Sequence, residues 1–117
     1  MSVSALDAAV ADLRESLGSA LLAVDVWDRT TALTMSGLHS PPTTGPVLER
    51  LVEDLRGGAG LAGSNLDDYL VLAVSGGHVL IVSAGTATAA LYVTEAIRPA
   101  GLVMDVAPAV RAVLSAS

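Results

Sequence analysis

The chain has 117 residues, 52% of them hydrophobic and 15% charged, with neither cysteine nor phenylalanine. That size suits one domain, residues 1–117, and the composition excludes disorder for most of its length and rules out disulfide or thiolate chemistry. Twelve acidic residues against six scattered arginines give a net charge of −6, so no basic stripe exists to neutralise phosphates and nucleic acid is not an expected partner.

In chain order, Met1-Ser2-Val3-Ser4 has no basic segment of the kind that opens a signal peptide, which makes the cytoplasm the expected compartment. Ser4 with Asp7 three residues on reads as a helix start. Leu6, Val10, Leu13 and Leu17 then form a one-faced apolar stripe that ends at Gly18. Leu21–Trp27 and Thr30–Ser36 are β-rich runs, with Asp28-Arg29 between them as a tight turn that lacks the usual glycine. Gly37–Thr44, containing Ser40-Pro41-Pro42, reads as a loop. Pro46 suits the first turn of a second helix. Its stripe is Val47, Leu48, Leu51, Val52 and Leu55, with Glu49, Arg50, Glu53 and Asp54 turned away and Gly57-Gly58 as its end.

Tyr69 to Thr94 then runs without one acidic or basic charge. Gly76-Gly77 and Gly85-Thr86 divide it into Tyr69–Ser75, Val79–Ala84 and Ala89–Thr94, each apolar on both alternating faces. Strands of that kind need cover on both sides, which places them in the middle of a layered domain. A membrane span would need about 20 predominantly apolar residues. Ser75, His78, Ser83, Thr86, Thr88 and the paired glycines interrupt this stretch, so buried strands are the better reading and no span is expected. A last helix opens near Pro99–Leu102 and runs to about Leu114, with Pro108 inside it marking a kink or break.

The order is α-β-β-α-β-β-β-α, an α+β layered fold with a five-stranded antiparallel sheet and helices on both faces. Five strands at about 4.8 Å spacing make a sheet roughly 20–25 Å wide, and one packed helix covers about 10 Å of it. Three helices can cover one face with a pair and leave the other to a single helix. Apolar sheet left bare on the single-helix face would mark an association surface, and a twofold dimer is the economical cover.

Several local patterns resemble catalytic or ligand motifs. Gly58-Ala59-Gly60-Leu61-Ala62-Gly63 spells G-x-G-x-x-G, but it follows a helix instead of opening one, so the dipole is reversed for phosphate. His39 and His78 lack partners at metal-ligand spacing. Ser75-Gly76-Gly77 is not a nucleophile elbow and suits a two-residue turn. Asp67-Asp68 and Asp25/Asp28 could be drawn as carboxylate pairs, yet solvated acids at strand ends are commoner. Trp27 is either an anchor on a binding surface or a cap on the first hairpin. No cofactor and no catalytic constellation is indicated, and the chain reads as a binding protein, not an enzyme.

Leu21-Leu22-Ala23-Val24-Asp25, Val79–Val82, Ala89–Val93 and Ala100-Gly101-Leu102-Val103, taken with the order of elements, resemble the roadblock/dynein-light-chain domain family over about residues 4–115. Its bacterial members include MglB-type regulators of Ras-like small GTPases. Trp27-Asp28-Arg29, where the family often has an Asp-Gly turn, and Pro108 in the last helix depart from the pattern. The resemblance implies helices one and three on one sheet face and helix two on the other. It also implies a homodimer in which the third strands pair edge to edge and the second helices lie together. The corresponding interface positions are Leu48, Leu51, Val52, Leu55, Tyr69, Val71 and Ala73, with Trp27 and Arg29 as a further partner surface. The implied role is a non-enzymatic regulator or scaffold for a Ras-like GTPase, and no arginine is implied as a catalytic finger. The alternative is a small-ligand sensor or generic protein-interaction module of profilin/PAS-like layer type, and the sensor needs a pocket between sheet and helix lined by polar groups.

Overall fold

A computed structural model describes residues 3–39, 44–63 and 69–116. Helix α1 spans Val3–Leu17, followed by a short 3-10 turn, and β1 spans Leu21–Asp28 and β2 Thr34–Leu38. Helix α2 covers Thr44–Leu61, and β3 (Tyr69–Val74), β4 (Gly77–Ala84) and β5 (Ala87–Thr94) follow. The last helix, α3, runs Pro99–Ala116. The strands form one antiparallel sheet in the order β2-β1-β5-β4-β3.

Alternation along the strands sends side chains to two separate cores. Val24, Val26, Leu80, Val82, Ala89, Leu91 and Val93 pack under α1 and α3, which contribute Leu6, Val10, Leu102, Val110 and Leu114. On the opposite face Trp27, Val79, Ile81 and Ala90 meet Val52 of α2, with Leu48, Leu70, Leu72 and Tyr92 half-buried around them. Two helices thus cover one face and one covers the other, as the width of the sheet requires. The apolar stretch from Tyr69 to Thr94 is three strands joined by two-residue turns at Ser75-Gly76 and Gly85-Thr86, not a membrane-crossing helix. Helix α3 has the length and hydropathy of a span. Its buried side chains, Leu102, Ala107, Val110 and Leu114, lie on the one face that packs against the sheet.

Five expectations need correction. Periodicity put all three apolar strands in the middle, but only β4 and β5 are central; β3 is an edge strand, as the resemblance implied, and its Ala73 and Val74 are exposed. Strand β2 starts at Thr34, not Thr30, because Asp28 builds a longer turn: its Oδ1 accepts from Thr30 N (2.8 Å) and Thr31 N (3.0 Å). Ala32, with φ 59°, donates its N–H to Asp28 O at 2.8 Å and closes that turn. Ser4 lies inside α1 and is not its cap; Asp7 instead accepts from Ser36 Oγ at 2.6 Å and ties the helix to β2. Helix α2 passes through Gly57-Gly58 to Leu61, where Gly63, at φ +77°, donates to Gly60 O at 3.0 Å. Pro108 does not break α3. A π-helical turn over Leu102–Val106, in which Ala107 N–H bonds to Leu102 O, precedes it, and the helix continues to Ala116.

Candidate functional site

The α2 face of the sheet holds most of the polar groups that the strands bury, Asp25, Ser83 and Thr88, while Ser36 faces α1. Trp27 is fully buried at the end of β1, under the start of α2. The fit there is close: a Cβ on Gly45 would lie 2.9 Å from Ala32 O and 3.3 Å from Trp27 Cβ and Cγ. Two residues back along β1, Asp25 is fully buried on the same side and accepts from Thr34 Oγ1 at 3.1 Å. Partial burial, reinforced by the negative charge of Asp25, pushes the Tyr92 phenol above its ordinary pKa, so this tyrosine stays neutral.

Helix α2 presents three distinct surfaces. Val52, only 2% exposed, points at the sheet with Leu48 beside it. At 3.6 residues per turn, Glu49, Glu53 and Arg56 fall on one flank of Val52 and Leu51 and Leu55 on the other. The charged flank meets the β1–β2 hairpin, where Arg29 Nε lies 3.6 Å from Glu49 Oε1 and Arg29 Nη2 3.9 Å from Glu53 Oε1. Arg56 closes the set on Glu53 at 2.7 Å. The main-chain N–H of Arg29 also donates to Thr86 O at 2.8 Å, so this residue locks two sheet turns and a helix together. The apolar flank is open: Leu51 is 37% exposed, Leu55 39%, and Val47, further round, 68%.

The residues singled out in the sequence therefore separate. Leu51 and Leu55 are exposed; Val52 and Leu48 are core residues of α2. Tyr69, Val71 and Ala73 pair with Val82, Leu80 and His78, which sets them on the α1/α3 side of β3; Tyr69 and Val71 pack against that core. The β3 side chains sharing a face with α2 are Leu70, Leu72 and Val74. Among the described residues nothing pairs with the outer edge of β3. Trp27 is buried and Arg29 is engaged within the chain, so the reading of Trp27 as an exposed anchor is corrected.

Sequence reasoning missed the buried acids. Glu49, assigned to the outer face of α2, is 8% exposed, and its Oε2 has no hydrogen-bond partner among the described residues. Asp25, treated as a solvated strand-end acid, lies mid-strand; its place between Val24 and Val26 in a run apolar on both faces was the available signal. Asp25 and Asp28 do not act as a pair, since Asp28 caps its own turn while Asp25 takes Thr34. Hydrogen bonds from the Thr31 and Thr30 amides hold the Asp28 carboxyl below its ordinary pKa. Ser40-Pro41-Pro42 and Asp67-Asp68 lie outside the described residues. The glycines of G-x-G-x-x-G form the C-terminal end of α2 and the turn after it, the wrong pole for a phosphate. One crevice between sheet and helices is on the far face, between α1 and α3, with a lining that is aliphatic apart from Asp12 and Ser16; a second lies between Tyr69 and Val82 of the sheet and α3, where Arg111 and Ser115 join the lining. The first lacks the polar lining a profilin/PAS-like sensor needs.

This arrangement recurs in solved structures. MglB of Myxococcus xanthus superposes with a TM-score of 0.76 at 12% identity, over 92% of this chain and 83% of that one. An MglB structure described as having a tetrameric arrangement gives 0.75 at 15%, over 97% and 90%. A Roadblock/LC7 domain from Streptomyces avermitilis gives 0.56 at 17%, over 80% and 82%. The fold is the roadblock fold. No family model matches the sequence, and no curated protein does. With identities this low, the roadblock likeness lies in the order and packing of elements. The features built into it here are the Arg29–Glu49 lock, the bare Leu51/Leu55 flank and the open β3 edge.

Proposed function

We propose that this chain is a cytoplasmic, non-enzymatic, homodimeric regulator or scaffold for a Ras-like small GTPase. The observation that carries the reading is the incomplete cover of one sheet face. Helix α2 leaves Leu70, Leu72 and Tyr92 half-buried, its own Leu51 and Leu55 bare, and the neighbouring edge of β3 unpaired. Apolar surface beside a free strand edge invites pairing with another chain. A second copy set antiparallel on β3 would continue the sheet and bring the two α2 apolar flanks together. Leu70, Leu72 and Val74 would lie under that joint, and Tyr69, Val71 and Ala73 on its other side.

The likeness to MglB structures and the sequence resemblance to regulators of Ras-like GTPases favour a nucleotide-state-sensitive partner over a catalytic role. The test immobilises the purified dimer and measures binding of Ras-like GTPases from its own cytosol, loaded with GDP or with a non-hydrolysable GTP analogue. The proposal expects a clear preference for one state. Equal affinity for both, or no binding, rejects the GTPase role.

A further inference from the structure

The face turned away from α2 carries a second feature, independent of any GTPase. Between α1 and α3 lies a recess of about 270 Å³. Ala9 and Leu13 of α1 and Ala109 and Val113 of α3 form its walls, and Val26 and Ala89 belong to its floor. It exists because three of these positions are alanines, too short to fill the space between two helices lying on a sheet. Protein interiors elsewhere have few voids larger than a water molecule. Among the described residues the only polar side chains in its lining are Asp12 and Ser16, both exposed and therefore at its mouth.

We propose that this recess binds the hydrocarbon tail of a neutral medium-chain amphiphile, with the head group at Asp12 and Ser16. Its size and lining select the ligand. An apolar cavity of about 150 Å³ holds benzene, so this one admits a chain of about eight to ten carbons. A polypeptide helix, about 10–12 Å across with its side chains, is too thick to enter. The mouth selects the head. Asp12 is the only charged residue of the lining, in a chain of net charge −6, and it repels a carboxylate; Ser16 can donate to or accept from a hydroxyl, ester or amide.

Calorimetric titration of the full chain with 1-decanol and with decanoate tests this. Saturable one-to-one binding of decanol is expected, with decanoate at least tenfold weaker and Asp12→Asn narrowing that gap. Ala9→Phe fills the recess and should abolish decanol binding with circular dichroism unchanged; if that variant unfolds, Ala109→Phe on the α3 wall takes its place. Absence of saturable decanol binding, equal binding of decanoate, or binding undiminished in the folded phenylalanine variant would overturn the proposal. None of these outcomes bears on the GTPase reading, which concerns the opposite face.

Discussion

Replacing Arg29 by alanine would strand Glu49, and the size of the effect follows from the geometry. The Glu49 side chain is 11% exposed and its Oε2 has no hydrogen-bond partner among the described residues, so Arg29 is its main compensation. Removing one partner of a fully buried pair costs about 3–5 kcal/mol. Two features reduce that here: Arg29 is 31% exposed and the contact is 3.6 Å, longer than a charge-assisted hydrogen bond. An Arg29→Ala cost of about 1–2 kcal/mol is the expectation. Glu49→Leu in the Arg29→Ala background should recover most of it, since a buried ion pair replaced by apolar packing is commonly neutral. The assay is urea unfolding of the four members of the cycle at one fixed protein concentration, because dimerisation would tie stability to concentration. With a urea slope of about 1–2 kcal/mol per molar, Arg29→Ala should lower the midpoint by about 1 M. An unchanged midpoint, or single effects that simply add in the double variant, would refute the claim that Arg29 compensates Glu49.

Other perturbations test separate joints of the fold. A Cβ on Gly77 would overlap the Val93 carbonyl in the neighbouring strand, so Gly77→Ala should cost about 3 kcal/mol, read by thermal melting. Gly76→Asn, one residue earlier at φ +82°, should be nearly silent because asparagine tolerates that conformation. The depressed pKa of Asp28 means that its capping stabilises the folded chain above the ordinary aspartate range, and that this is lost as pH falls through the lowered value. The stability difference between the wild type and Asp28→Asn should therefore be constant near neutrality and close in acid, as acid-titrated unfolding would record.

What could be read in the sequence was what periodicity and turn chemistry express locally. The two-sided apolarity of Val79–Ala84 and Ala89–Thr94 identified the central strands. The glycines between strands marked two-residue turns, and the helix count fixed how unevenly the faces are covered. Global neighbours escaped. Tyr69–Val74 carries the same two-sided pattern as β4, so periodicity alone does not mark it as the edge strand that the family resemblance implies. Glu49 looked solvent-facing by helical spacing, but Arg29, twenty residues away in the chain, lets it be buried. Asp28 looked like half of a tight turn because nothing in its spacing announces that its own carboxylate would organise Thr30 and Thr31. The π-helical turn before Pro108 was equally invisible, since it absorbs the proline without altering the apolar stripe.

Leu51 and Leu55 are the residues on which self-association turns. The most direct measurement is the solution mass of the wild type and of Leu55→Glu by sedimentation equilibrium, each checked by circular dichroism. The wild type should weigh twice its chain, and the variant, still folded, should weigh one chain, because a charge cannot enter the joint between two α2 flanks. A wild type that stays at single-chain mass up to high concentration, or a variant that remains dimeric, would contradict the assignment of this face.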